Sequence, residues 1–318
     1  MTATAADDIA THVPRTVHDI SPLRAAWQAR LVADPSLKGH DAPLCEALQR
    51  LRRALQRGPR RLAPAERAAL VAAAQASLAG PRDFPGCSYN ERLDRCQARA
   101  AVDLAVCELL IMLTMLGPSG AALAPDLAAI LTGTRVAPCV AACCSAGWVA
   151  QTQRQARDAA VRTLAALGPP ALARLAPAAL LPCFAAGERR LARTAAALLA
   201  RHIAAAPALV PVLLIACRDR MTDTDRCLHE SLCQALARAA AGLATRDLTD
   251  ARRYASLRRR DERPGVRASA VRALAALGAR AELTHALRDP ASAVRYAALR
   301  ALGRSTRELC RRDSRRAP

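Results

Sequence analysis

The sequence predicts an all-α protein, an α-solenoid of stacked antiparallel helix pairs. Three observations carry that expectation. First, 52% of the 318 residues are hydrophobic but only 2% are aromatic. Alanine and leucine, the strongest helix formers, therefore carry the apolar load. Second, one arginine-bearing helical stretch is written more than once: "VRASAVRALAALG" from Val266 and "VRYAALRALG" from Val294. Third, glycines at 168, 187, 278 and 303 stand where helices should stop, and prolines precede or open the apolar segments 176–187 and 206–219.

The repeats set the organisation. Aligned on Val-Arg, Ala270 falls on Ala298, Arg272 on Arg300 and Leu274 on Leu302. "ARDAAVRTLAALG" from Ala156 fits the same frame, and "LARTAAALLA" from Leu191 and "LHESLCQALA" from Leu228 are weaker copies. Copies starting at 156, 191, 228, 266 and 294 are 28 to 38 residues apart, a spacing that marks helical repeat arrays. Such units are too small to bury their own apolar face and rely on stacking.

In chain order, residues 1–80 read as an N-terminal helical cap or leader, with amphipathic helices at about 21–34, 42–58 and 63–80. Residues 81–94 form a linker. The solenoid is expected over 95–303, clearest at 154–186 and 265–303. A long helix from Arg92 to Leu116 should end at Gly117-Pro118, and "APDLAAIL" opens its partner. "APAALLPCFAAG" (176–187) and "APALVPVLLIACRD" (206–219) read as second helices. The polar segment 241–264 departs from the pattern, so a second helix there is not assigned. Residues 304–318 form a basic tail.

The pattern Asp-x-x-x-x-Val-Arg-x-x-Ala-x-x-Ala-Leu-Gly resembles a short HEAT repeat. Asp289, Val294, Arg295, Ala298, Ala301, Leu302 and Gly303 match it. The resemblance implies a role for the arginine after the valine, held by Arg157, Arg267 and Arg295. It supports the repeat-to-repeat stack by pairing with an acidic residue of a neighbouring turn, and Asp289 and Asp261 are its candidates. Arg162, Arg272 and Arg300 lie five positions on, about 140° around the helix from that set. They are candidates for an exposed basic face, with the block Arg252, Arg253, Arg258, Arg259, Arg260 and Arg263.

Charge points the same way. Basic and acidic residues number 16 and 13 in 1–150 but 31 and 14 in 151–318, and Lys38 is the sole lysine. A basic surface suits an acidic protein partner or a nucleic-acid backbone. The tail arginines Arg311, Arg312, Arg315 and Arg316 add a second charge block that would also suit a nuclear-import signal.

Other chemistry finds little support. Cys139, Cys143 and Cys144 cluster, but no Cys-x-x-Cys occurs, and Cys87/Cys96 and Cys227/Cys233 are spaced too widely for a zinc pair. His229-Glu230 is a single pair where the HEAT-type di-iron hydroxylases need several, and it reads as a solvated helix face. No nucleophile elbow or phosphate loop is present. Trp27 and Trp148 lie outside the strong repeats, and Tyr254 and Tyr296 are the only tyrosines of the basic half, which disfavours base stacking. The longest apolar run, Leu109 to Gly117, is too short to span a bilayer. The sequence therefore predicts a non-enzymatic protein-binding scaffold of the cytoplasm without cofactor or metal. The alternatives are nucleic-acid binding, with a nuclear location, and a lyase-type activity like that of other short-HEAT proteins.

Overall fold

The computed structural model describes residues 64–79, 106–133 (apart from 108 and 112) and 146–303. The helices expected at 21–34 and 42–58, the break at 81–94 and the tail from 304 lie outside these residues. So do Cys87, Cys96, Cys139, Cys143 and Cys144, and Trp27. The described residues are helical or in turns, with no strand among them, as the apolar composition demands. Among them no helix is long and apolar enough to cross a membrane. Two compact units divide between Ala179 and Leu180.

In the first unit α1 spans Pro64–Ala79. Residues 106–113 are helical and pass at Thr114 into a 3₁₀ stretch reaching Leu123. The backbone breaks there at Gly117, with φ 55° and ψ −144°, where Pro118 removes a donor from any continuing helix. Helix α2 (Ala124–Thr132) follows, then α3 (Ala146–Leu167) and the single turn α4 (Pro169–Leu172). The 3₁₀ stretch packs on α1, α2, α3 and α4. Thr163 Oγ1 is wholly buried and donates to the Leu110 carbonyl at 2.8 Å, joining α3 to the preceding helix.

The second unit holds α5 (Arg189–His202), α6 (Val210–Asp219), α7 (Arg226–Ala239), α8 (Thr245–Arg258), α9 (Pro264–Ala276), α10 (Arg280–Ala286) and α11 (Ser292–Ala301). The arginine-rich segment left unassigned at 241–264 is thus a regular 14-residue helix, α8, over most of its length. It is held by Ala251, Tyr254 and Ala255, which are buried one helical turn apart. Residues 177–184 are a 3₁₀ helix rather than the α-helix expected at 176–187. Pro182 lies inside it and cannot donate to an α-type ladder.

Helix α5 packs on α7, α7 on α9 and α9 on α11, while α6 packs on α7 and α8, and α8 and α10 pack on α9. Counting from Leu191, Leu228, Val266 and Val294, the residue at the start and the residue four on are buried in all four helices. The latter are Ala195, Leu232, Ala270 and Ala298, each with no exposed surface. Small side chains at three of these four positions let neighbouring helices approach closely. The residue six on is exposed in every case: Ala197, Gln234, Arg272 and Arg300. Gly168, Gly187, Gly278 and Gly303 all have φ between 70° and 87°, the left-handed conformation that closes helices and favours glycine.

Candidate arginine-lined docking face

The arginines of the second unit divide into those that build joints and those that face outward. The joints are built on three aspartates at the same place in the frame: Asp223, Asp261 and Asp289. Each accepts the backbone N–H two residues on, from Asp225 at 2.8 Å, Arg263 at 3.0 Å and Ala291 at 2.9 Å. This is the aspartate turn that local side-chain bonding favours, and it sets the chain for the helix that follows, α7, α9 or α11. At α7 the turn continues into a cap, with Asp225 accepting from Leu228 N–H at 3.2 Å.

Arginine holds these turns in two ways. Arg267 grips Asp289 with two parallel bonds, Nε and Nη2 each at 2.9 Å, and both side chains are 12% exposed. Its Nη1 donates to the carbonyls of Asp261 and Glu262 at 2.9 and 2.8 Å. Arg295 repeats that second contact on Asp289 and Pro290 at 3.0 and 2.8 Å. The other source is the residue three before the aspartate. Arg220 pairs with Asp223 at 3.1 Å and donates to the Ala185 carbonyl. Arg258 approaches Asp261 at 3.7 Å and donates to the Met221 carbonyl. Asp261 also takes a two-pronged contact from Arg263, at 2.8 and 2.9 Å.

The charges leave their mark on titration. The hydrogen bond from Arg263 holds the Asp261 carboxyl below its usual range despite partial burial. At Asp223 burial pushes upward, but the Asp225 N–H and the Arg220 charge outweigh it, and the carboxyl again lies low. The bond to Asp289 raises Arg267 above its ordinary value.

His229 stands at the frame position of Arg267 and Arg295. It is not a solvated helix residue: it is wholly buried. Its Nε2 lies 2.6 Å from the Asp223 carbonyl oxygen, the same six-residue reach that Arg267 and Arg295 make. This places the proton on Nε2, leaving Nδ1 to accept from the buried Tyr254 hydroxyl at 2.7 Å. Arg258 lies over the Tyr254 ring, 5.7 Å from its centroid, with Nη1 3.1 Å from His229 Nε2. Burial is the main cause of a lowered pKa at His229, and the Arg258 charge adds to it. Glu230, the other half of the sequence pair, turns to Arg226 at 2.8 Å.

The arginines singled out as an exposed face therefore separate. Arg258 is 11% exposed and occupied inside the joint, so it is not on a surface. Arg259 is about one-fifth exposed and pairs with Glu282 of α10 at 2.9 Å. Arg252 closes the end of α9, donating twice to the Leu277 carbonyl at 3.0 and 2.6 Å. Arg253, Arg260, Arg272 and Arg300 are exposed. In the first unit Arg162 is exposed and bonds Asp158 one turn away at 3.0 Å, while Arg157 is half-buried beside Gly133. No three histidine, cysteine or carboxylate side chains among the described residues group as a metal site. Cys217 and Cys233 are buried, which drives both thiol pKa values up, that of Cys233 to about 12. No protein-family profile matches this chain, and no curated protein matches it.

Sequence reading missed Arg220, Asp223 and the buried role of His229. A signal existed: Arg-x-x-Asp recurs at 220–223 and 258–261, at the same distance before Leu228 of α7 and Val266 of α9.

Proposed function

We propose that the chain is a non-enzymatic adaptor, a HEAT-like α-solenoid that holds an acidic protein partner on its outward arginines. The carrying observation is the division of labour within α9 and α11. Arg267 and Arg295 are committed to the joints, while Arg272 and Arg300, five residues on, face solvent on adjacent packed helices. Joints already satisfied by other arginines leave these two without a stabilising duty in the fold. Exposed, unburied guanidinium groups are suited to charge-assisted recognition of carboxylates. The sequential packing of α5, α7, α9 and α11, with an aspartate turn before each of the last three, supports the HEAT resemblance. Fold alone names no partner, so the reading rests on the surface.

Affinity capture from native extract tests it, using wild type and an Arg272→Glu, Arg300→Glu double variant, each with and without nuclease. A protein that wild type retains after nuclease and the double variant loses is the expected result. Retention of nuclease-sensitive material alone would overturn the adaptor reading in favour of nucleic-acid binding.

A further inference from the structure

The second unit carries its charge on one side. The four first-row helices α5, α7, α9 and α11 contain ten arginines and a single carboxylate, Glu230. Arg267 and Arg295 of the ten are half-buried, and the other eight are exposed. Glu230 is itself neutralised by Arg226. The second-row helices α6, α8 and α10 contain six arginines against four carboxylates. The exposed carboxylates among the described residues of this unit are Asp219, Asp250 and Glu262, and none belongs to a first-row helix. The exposed first-row stripe points away from the second row. On α7, His229 meets Tyr254 of α8, and exposed Gln234 and Arg238 lie about 140° and 180° around the helix from it.

Resting on the adaptor reading, we infer that this face binds an extended acidic protein segment with a carboxylate at every third residue. The spacing argues for it. Packed helix axes lie about 8–10 Å apart, so equivalent positions such as Arg272 and Arg300 recur at that step. A polyproline-II segment has three residues per turn and rises about 3.1 Å per residue, which returns its side chains to one side every ~9.3 Å. At this position α9 and α11 carry guanidinium groups, Arg272 and Arg300, and carboxylates at that interval keep step with the pair. Between the arginines the stripe is small and uncharged, with Ala197, Gln234, Ala276 and Ala293 exposed, which leaves room for a backbone to lie close. A nucleic-acid single strand asks instead for stacking aromatics, and Tyr296, 43% exposed, is the one such side chain on these helices.

Fluorescence anisotropy on the full chain tests the inference with three labelled probes. These are a Glu-Pro-Pro repeat peptide, a peptide of the same composition with its glutamates gathered at one end, and an oligothymidylate of equal charge. Two charge-reversed proteins accompany wild type: Arg201→Glu, Arg272→Glu, Arg300→Glu on the first row, and Arg246→Glu, Arg253→Glu on the second. Arginine-to-glutamine versions of each, checked by thermal melting, guard against loss of fold. Wild type should prefer the repeat peptide. First-row reversal should weaken it at least about tenfold, the sum expected of several exposed ion pairs turned repulsive, and second-row reversal less than about twofold. Equal loss in both variants, equal binding of the two peptides, or tighter binding of the oligothymidylate would each overturn the inference. If a nuclease-resistant protein partner is still captured while the peptide is not bound, the adaptor reading stands and this inference alone fails.

Discussion

Two joints of the second unit, at Asp261 and at Asp289, solve one problem with arginines from different places. At Asp261 the buried cation is Arg258, at the end of second-row helix α8 and three residues before the aspartate. At Asp289 that place, again the last residue of the second-row helix, is Ala286, which carries no charge. Arg267 fills the gap from the preceding first-row helix, and its two-pronged grip is tighter than the 3.7 Å approach of Arg258. The aspartate turn is dictated locally, since a carboxylate accepting the N–H two residues on needs no tertiary partner. Its counter-charge is supplied by whichever element reaches it. A buried carboxylate left without one would be costly, so a second-row helix that ends in alanine demands an arginine from elsewhere.

The comparison can be broken first through packing. Ala298 of α11 is wholly buried where α11 meets α9. Ala298→Arg should cost about 4 kcal/mol, from a charge forced into a close helix contact. It should melt α11 away from α9 while the α7–α9 joint survives, which hydrogen exchange resolved by residue would read. Uniform loss of protection across the unit would mean that the joints do not act separately.

Removing the cations comes next. Arg258→Ala strips donors from Met221 and Asp261 and the packing over Tyr254. Arg267→Ala strips Asp289 and two carbonyls. Arg267→Ala should cost about 3 kcal/mol, the usual penalty for orphaning one member of a buried pair, and Arg258→Ala less, since Arg263 still holds Asp261 with two bonds. Denaturant titration of the double variant should show near-additive losses, since the aspartates they serve differ. A strongly sub-additive result would merge the two joints into one network.

Acid should distinguish the joints as well. His229, its pKa lowered by burial, bonds the Asp223 carbonyl and Tyr254 and touches Arg258 of the Asp261 joint. The folded chain holds it neutral, so its contribution is full above its unfolded pKa of about 6.5 and is lost as pH falls below that value. The depressed carboxyls Asp223 and Asp261 contribute above their unfolded pKa, about 3.9, and lose that only in stronger acid. The melting midpoint should therefore drop between pH 7 and pH 5, and His229→Gln should flatten that interval while keeping the steeper loss below about pH 4. An unchanged profile in the variant would assign the drop to other groups.

The smallest effect is expected outside the joints. Arg300→Ala should change stability by less than about 0.5 kcal/mol, as substitutions at exposed positions do. A larger loss in a thermal melt would give this residue a structural duty that its exposure argues against.

The helices were legible because their signals are local. Apolar residues four apart placed α5, α7, α9 and α11 within two residues of their ends, helped by the proline that starts α9 and the glycines that follow α9 and α11. The place of Ala298 in the buried stripe and of Arg300 off it followed from the helix period alone. What escaped depends on contacts distant in sequence. The run Arg258, Arg259, Arg260 looks like one solvated block, yet neighbours 100° apart on a helix end meet different surroundings. Arg258 turns under the α6–α7 connection, Arg259 reaches Glu282, and Arg260 stays outside. His229 beside Glu230 looked like a surface pair for the same reason. Only the position of Tyr254, twenty-five residues on, makes it a buried one.

The exposed residue eight after the start of each first-row helix has a further consequence for how such a chain can change over time. Alanine, glutamine, arginine and arginine occupy it in turn, and none is buried. Since the joints draw on other positions, mutation there meets almost no purifying constraint from folding. The surface can be rewritten unit by unit, as separate slots, while the scaffold beneath stays constant. A lineage could thus exchange one surface for another without passing through an unfolded intermediate.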